Sequence, residues 1–96
     1  MPGRQLPERE RQKVLRSYMV EGRIVAIPVR RSERLVLLDQ VARTFEPGVR
    51  YSEAELNSAL LRFSSDLVVL RQGLLDEGFM ECDRRAYWRC GGTVDL

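Results

Sequence analysis

The stretch DLVVLRQGLLDEGFMECDRRAYWRC, residues 66–90, decides the fold. Leu67, Leu70 and Leu74 recur at i, i+3 and i+7, the spacing of one face of an α-helix. Gly78 then offers the left-handed conformation that closes a helix, and Phe79 can fold back from it onto Leu74. Residues 79–82 and 86–90 are short runs rich in β-formers, and charged turn residues separate them. A helix, a glycine stop and a hairpin follow in direct succession. With the turn at 83–86, Cys82 lies opposite Tyr87 and Cys90 opposite Phe79, which puts the two thiols on different faces. A register shifted by one residue leaves them about four residue pairs apart, beyond the ~7 Å reach of a disulfide between Cα atoms. Both registers predict reduced thiols.

Working back from this stretch, Ser64 and Ser65 mark a tight break, and a helix precedes it. Ser52 and Glu55 have the S-x-x-E spacing of a capping box, and Leu56, Ala59, Leu60 and Phe63 form the buried side. Pro47-Gly48 has the residues of a type II turn. Before it, Ser32 is expected to cap a helix running through Phe45, with Leu35, Leu38, Val41, Ala42 and Phe45 as its stripe. Residues 23–29 are rich in Ile and Val, and Pro28 limits them to an edge strand or an extended connector. A first helix is expected from Pro7 to about Val20, ended by Glu21-Gly22, with Val14, Leu15, Tyr18 and Met19 on a thin apolar face.

At 96 residues with 44% apolar content, one compact domain is expected. The longest apolar run is far short of the ~20 residues of a membrane helix, and the N-terminal segment is rich in arginine and glutamate rather than apolar. A cytoplasmic protein with no membrane association is the expectation. No histidine is present, which removes the imidazole from every acid–base, triad and metal-ligand scheme. The close carboxylate pairs, Glu53 with Glu55 and Asp76 with Glu77, lie at helix ends without a nucleophile or a phosphate-binding loop, and Cys82 with Cys90 fits no zinc spacing. The sequence therefore implies no enzyme, no metal, no cofactor and no small-molecule ligand. The net charge of +2 is uneven: residues 1–34 carry nine basic against four acidic residues, or +5, and residues 35–96 carry seven against ten, or −3. A polyanion would favour the N-terminal third.

Two helices joined by a tight break, completed by a preceding helix and followed by a hairpin, form a winged helix-turn-helix. The expected fold is thus mainly α with a small β-hairpin: a three-helix core plus C-terminal wing, preceded by an extra N-terminal helix. Residues 1–30 would be the N-terminal helix and connector, 31–90 the winged-helix domain and 91–96 a flexible tail. Phe45-Glu46-Pro47-Gly48, Tyr51, Glu53, Glu55-Leu56-Asn57, Leu60, Phe63, Asp66, Leu70-Arg71, Leu74, Gly78-Phe79 and Tyr87-Trp88-Arg89 resemble an uncharacterised prokaryotic domain family over roughly residues 27–90. The family occurs alone and attached to helix-turn-helix transcription regulators, so the resemblance implies a regulatory setting. Two departures, Gln72 in place of a second arginine and Cys82 in place of a basic residue, remove positive charge from the nucleic-acid face.

At 100° per residue, Ser65, Val68, Val69, Gln72 and Asp76 face outward on the last helix. That face holds no arginine or lysine, and only Gln72 has geometry suited to adenine. Arg71 on its flank fits a phosphate contact and an internal salt bridge equally well. Arg84 and Arg85 at the hairpin turn, with Arg89 two pairs further on, are the best candidates for a DNA backbone, although a solvated mixed-charge turn explains them too. Arg30, Arg31 and Arg34 stand at the positive end of a helix dipole, free for outside anions or simply solubilising. Arg9, Lys13 and Arg16 could extend that patch. The leading expectation is a DNA-binding transcription-regulator module gripping phosphate. The alternative is a protein-interaction or homodimerisation domain using Val68, Val69, Gln72 and an exposed aromatic, Trp88 or Tyr87, since strand neighbours must face opposite ways.

Overall fold

A computed structural model describes residues 7–90; the tail expected at 91–96 lies outside the described residues. The chain is mainly α with two small antiparallel sheets: α1 (Glu8–Tyr18), β1 (Met19–Val20), β2 (Arg23–Ile24), α2 (Arg31–Ala42), β3 (Arg50–Tyr51), α3 (Glu53–Leu61), α4 (Leu67–Asp76), β4 (Met80–Cys82) and β5 (Tyr87–Arg89). Strands β1 and β2 form a hairpin, and β3, β5 and β4 form a sheet in that order. No helix among the described residues is long and apolar enough to cross a membrane.

The decisive stretch folds as its spacing predicts. Leu70 and Leu74 are almost fully buried and Leu67 packs against the same core. The end of α4 is a Schellman motif: the N–H of Phe79 donates to Leu74 O (2.9 Å), that of Gly78 to Leu75 O (3.2 Å), and Gly78 takes φ +79°. A side chain there would meet the steric penalty of the left-handed region. Phe79 thereby swings back into the core beside Leu74. The hairpin register pairs Cys82 with Tyr87, and the Cys90 N–H donates to Phe79 O, so Cys82 and Cys90 are not joined by a disulfide.

The capping box at α3 is complete, with Ser52 Oγ accepting from the Glu55 N–H (3.1 Å) and Glu55 Oε1 accepting from the Ser52 N–H (2.8 Å). Pro47-Gly48 is the expected reversal, with the Val49 N–H donating to Glu46 O (3.3 Å) and Gly48 at φ +85°. It brings in β3, which sequence reading missed: a two-residue strand beside a helix N-cap has no periodicity to detect, and only pairing with Tyr87 and Trp88 defines it.

Four boundaries differ from expectation. Ser32 does not cap α2; Arg30 stands at the N-cap without a side-chain cap, its carbonyl receiving the Arg34 N–H (3.0 Å), and Ser32 lies inside the first turn. The helix ends at Ala42 rather than Phe45 because Thr44 and Phe45 turn back on Val41 and Ala42 in a tighter i to i−3 pattern before Pro47, yet Phe45 still reaches the core. At the other end of the connector, α1 stops at Tyr18. Glu21 (φ 51°) and Gly22 (φ 81°) are not a simple helix terminator but the two-residue turn of the β1–β2 hairpin. This shortens the strand expected at 23–29 to Arg23–Ile24, whose Ile24 N–H donates to Phe63 O (2.8 Å).

The core gathers Leu38, Val41, Ala42, Phe45, Leu56, Leu60, Leu70, Leu74, Phe79 and Met80. Helix α2 is buried beyond its predicted stripe, through Val36 and Leu37 as well. Helix α1 covers it on another side, clamped by Arg11 to Asp39 (3.3 Å) and Gln40, and by Tyr18 to Glu33 (3.1 Å). Helices α2 and α4 meet closely at Gly73, where an added Cβ would sit 3.1 Å from a Leu38 methyl. A glycine costs about 1 kcal/mol in a helix interior, and close packing is its reason here.

Candidate nucleic-acid interface

The hairpin tip is built by Asp83. Its Oδ1 accepts the N–H groups of Arg85 and Ala86 (both 2.8 Å), and its own N–H donates to Ala86 O (3.0 Å). Aspartate is favoured at the first position of such a turn for this reason. The Arg85 and Ala86 amides, and then the Arg50 guanidinium, hold the Asp83 carboxyl below the usual carboxylate range. Arg84 and Arg85 occupy the two central positions, exposed, with no side-chain hydrogen bond or ion pair among the described residues. Glu81 and Cys82 are exposed beside them.

Arg50, which sequence reading did not single out, lies across the base of this hairpin. Its guanidinium pairs with Asp83 and stacks 4.3 Å from the Trp88 ring centroid. The one available signal was the alternation of Arg50 and Tyr51 on a strand, which depends on pairing invisible in the sequence. Trp88 is half-buried beneath Arg50, whereas Tyr87 faces the core, so the two aromatics separate as the strand geometry requires.

Arg31, Arg34, Arg71 and Arg89 have internal roles. Arg31 makes a two-pronged contact with Glu77, Nε to Oε2 at 3.1 Å and Nη2 to Oε1 at 2.6 Å, tying the start of α2 to the end of α4. Arg34 donates to the carbonyls of Pro28 and Val29 in the connector. Arg71 donates to Asn57 Oδ1 (3.0 Å) and pairs with Glu53 (3.6 Å), joining α4 to α3. Arg89 donates to Phe45 O (3.1 Å). Arg30 is exposed near Tyr18, whose hydroxyl is raised above its ordinary value by donation to Glu33, with Arg30 opposing that rise. Arg9, Lys13 and Arg16 are exposed on α1.

The outward face of α4 is as the helical wheel predicts: Ser65, Val68, Val69, Gln72 and Asp76 are all exposed, and Gln72 Nε2 donates to Asp76 Oδ1 (2.8 Å). Val68 is 65% and Val69 43% accessible. They form one bank of a groove of about 410 Å³ whose other bank is α2 and the connector at Ile27 and Pro28. Among the described residues no cluster of three or more acidic, cysteine or histidine side chains is placed to hold a metal.

A family model described as an uncharacterized protein conserved in bacteria, DUF2087, matches residues 23–89. The chain belongs to this bacterial family. The match runs from the first residue of β2 to the last of β5 and leaves α1 outside. No curated protein and no solved structure matches the chain. The residues that first suggested a family are largely scaffold. Tyr51 packs edge-on against Phe45 (5.1 Å between centroids) and its hydroxyl accepts the Glu46 N–H (2.9 Å). Asn57 and Glu53 hold Arg71, Glu55 caps α3, and Gly78-Phe79 closes α4. These motif residues join the helices to one another.

Proposed function

We propose that the chain is a non-enzymatic winged-helix module of the kind attached to transcription regulators, binding duplex DNA mainly through backbone phosphates. Residues 31–90 are the winged helix in this reading, and residues 1–30 are its N-terminal extension. The element order α2-β3-α3-α4-β4-β5 with strands ordered β3-β5-β4 supports it, since a winged helix carries a helix pair and a two-stranded wing on one three-helix core. The observation that carries the phosphate contact is the wing tip: Arg84 and Arg85 project from a turn held by Asp83, and no internal acceptor engages them among the described residues. Arg30 and the exposed cations of α1 supply further positive charge.

The test is a duplex titration across salt. Replacing both Arg84 and Arg85 by Ala is expected to weaken binding at least tenfold at low salt and to flatten the log–log salt slope by about 2, because each phosphate neutralised by a cation adds ~0.9 to that slope. Absence of salt-sensitive binding by the unmodified chain overturns the proposal. The apolar outward face of α4 favours a second reading, a protein-interaction or homodimerisation surface through Val68, Val69 and Gln72. Under it, Val69→Glu abolishes a measured association while the circular dichroism stays unchanged.

A further inference from the structure

The groove between α2 and α4 is apolar toward one end and charged toward the other. Leu37, Leu38, Leu70 and Gly73 line its floor, and Ile27 and Val69 stand on its banks. Two contacts fix how the helices pass each other: Leu38 lies against Gly73, and Arg31 bridges to Glu77. They therefore run in opposite directions, and the two other charged residues of the lining, Arg34 and Asp76, both fall toward the Arg31–Glu77 end. The Arg34 side chain reaches further that way, to the carbonyls of Pro28 and Val29 just ahead of α2.

Arg31 and Glu77 neutralise each other, whereas Arg34 and Asp76 make no ion pair with one another or with any other described residue. Arg34 is half-buried, and Nη1 alone makes its two carbonyl contacts, so Nε and Nη2 have no acceptor among the described residues. Asp76 accepts the Gln72 amide on Oδ1, and its Oδ2 has no donor among them. One uncompensated cation and one uncompensated anion toward the same end, with aliphatic surface beyond, complement a zwitterion whose two charges sit together on an apolar body. An apolar α-amino acid has that form. Its carboxylate can accept from Nε and Nη2 in the two-pronged geometry a guanidinium favours, its ammonium can donate to Asp76, and its side chain then covers Leu37, Leu38 and Leu70. A lone carboxylate would add negative charge beside Asp76, and a lone amine would add positive charge beside Arg34. The groove volume of about 410 Å³ falls in the range of small-molecule sites and has room for an aromatic side chain. The lining comes from the connector, α2 and α4, which is why the sequence implied no small-molecule ligand.

We infer that the α2–α4 groove binds a free apolar α-amino acid, with Arg34 on its carboxylate and Asp76 on its ammonium. The inference stands apart from duplex binding, because it leaves the wing tip untouched. Methyl-resolved NMR titration of the full chain tests it with three probes: L-phenylalanine, 3-phenylpropionate, which lacks the ammonium, and 2-phenylethylamine, which lacks the carboxylate. L-phenylalanine is expected to shift the Ile27, Leu37, Val69 and Leu70 methyls saturably, and each truncated probe is expected to bind roughly tenfold more weakly or worse. Arg34→Gln is expected to bring L-phenylalanine down to the level of 2-phenylethylamine. Because Arg34 also holds the connector, Asp76→Asn on the exposed rim carries the test independently: it keeps an acceptor for Gln72 and is expected to weaken L-phenylalanine without weakening 3-phenylpropionate. Val69→Trp, on a half-open bank, is expected to block all three probes. The inference is overturned if L-phenylalanine gives no saturable groove shifts, if the three probes bind alike, or if Asp76→Asn leaves L-phenylalanine unaffected.

Discussion

Two groups of arginines make the instructive comparison in this molecule. Arg31 and Arg34 at the start of α2 and Arg84 and Arg85 at the β4–β5 turn look alike in the sequence, each a short basic cluster beside a structural boundary. The first group is drawn inward, because the end of α4 brings Glu77 to Arg31 and the connector turns its carbonyls toward Arg34. The second is left outward: Asp83, the carboxylate of the same turn, is engaged by the turn's own amides and by Arg50. What decides the role of a surface arginine is therefore whether the fold places an unengaged acceptor within its reach.

The comparison breaks first if α4 is displaced, since α4 positions both groups. Leu70→Ala removes a side chain that is 1% exposed between α2, α3 and the sheet, and a loss of about 2–5 kcal/mol in urea unfolding is expected. Arg71→Ala sharpens it: this half-buried guanidinium holds Asn57 and Glu53, and its removal is expected to cost about 1 kcal/mol of stability with little change in duplex affinity. A large affinity loss with unchanged stability would instead place Arg71 on the phosphate. Arg31→Gln is expected to lower the urea midpoint slightly at low salt, an effect that high salt erases, and to leave duplex binding alone. The double Ala variant at Arg84 and Arg85 is its mirror image, neutral in stability and costly in binding.

The smallest effect concerns pH. Because the folded Asp83 carboxyl titrates below its unfolded value of about 4, its contribution is complete above that pH and is lost as the pH falls through the folded value. Asp83→Asn keeps an oxygen acceptor for the Arg85 and Ala86 amides but cannot titrate. Unfolding midpoints measured on the acid side of pH 4 are expected to fall more steeply for the parent chain than for this variant.

Much of the fold was legible because its signals are local. The capping box at Ser52 and Glu55, the Pro47-Gly48 turn, the Gly78 stop and the leucine ladder each act within one or two turns of chain, where side-chain type and backbone preference coincide. The errors fall where a partner distant in sequence rules. Glu21-Gly22 became a hairpin turn rather than a helix end once Arg23 and Ile24 had the Leu61, Arg62 and Phe63 carbonyls to bind. The burial of Val36 and Leu37 depended on α1 and the connector covering a face that the predicted stripe left open.

The candidate site divides the same way. Sequence alone determined the outward face of α4, the separation of Tyr87 from Trp88 and the distance between the thiols, because helical and strand periods fix direction without reference to neighbours. Only the tertiary structure decided which arginines are engaged and that Arg50 lies against the β4–β5 hairpin. The side-chain contacts of Arg31, Arg50 and Arg71 span 14 to 46 residues, and no local rule carries partners over such distances.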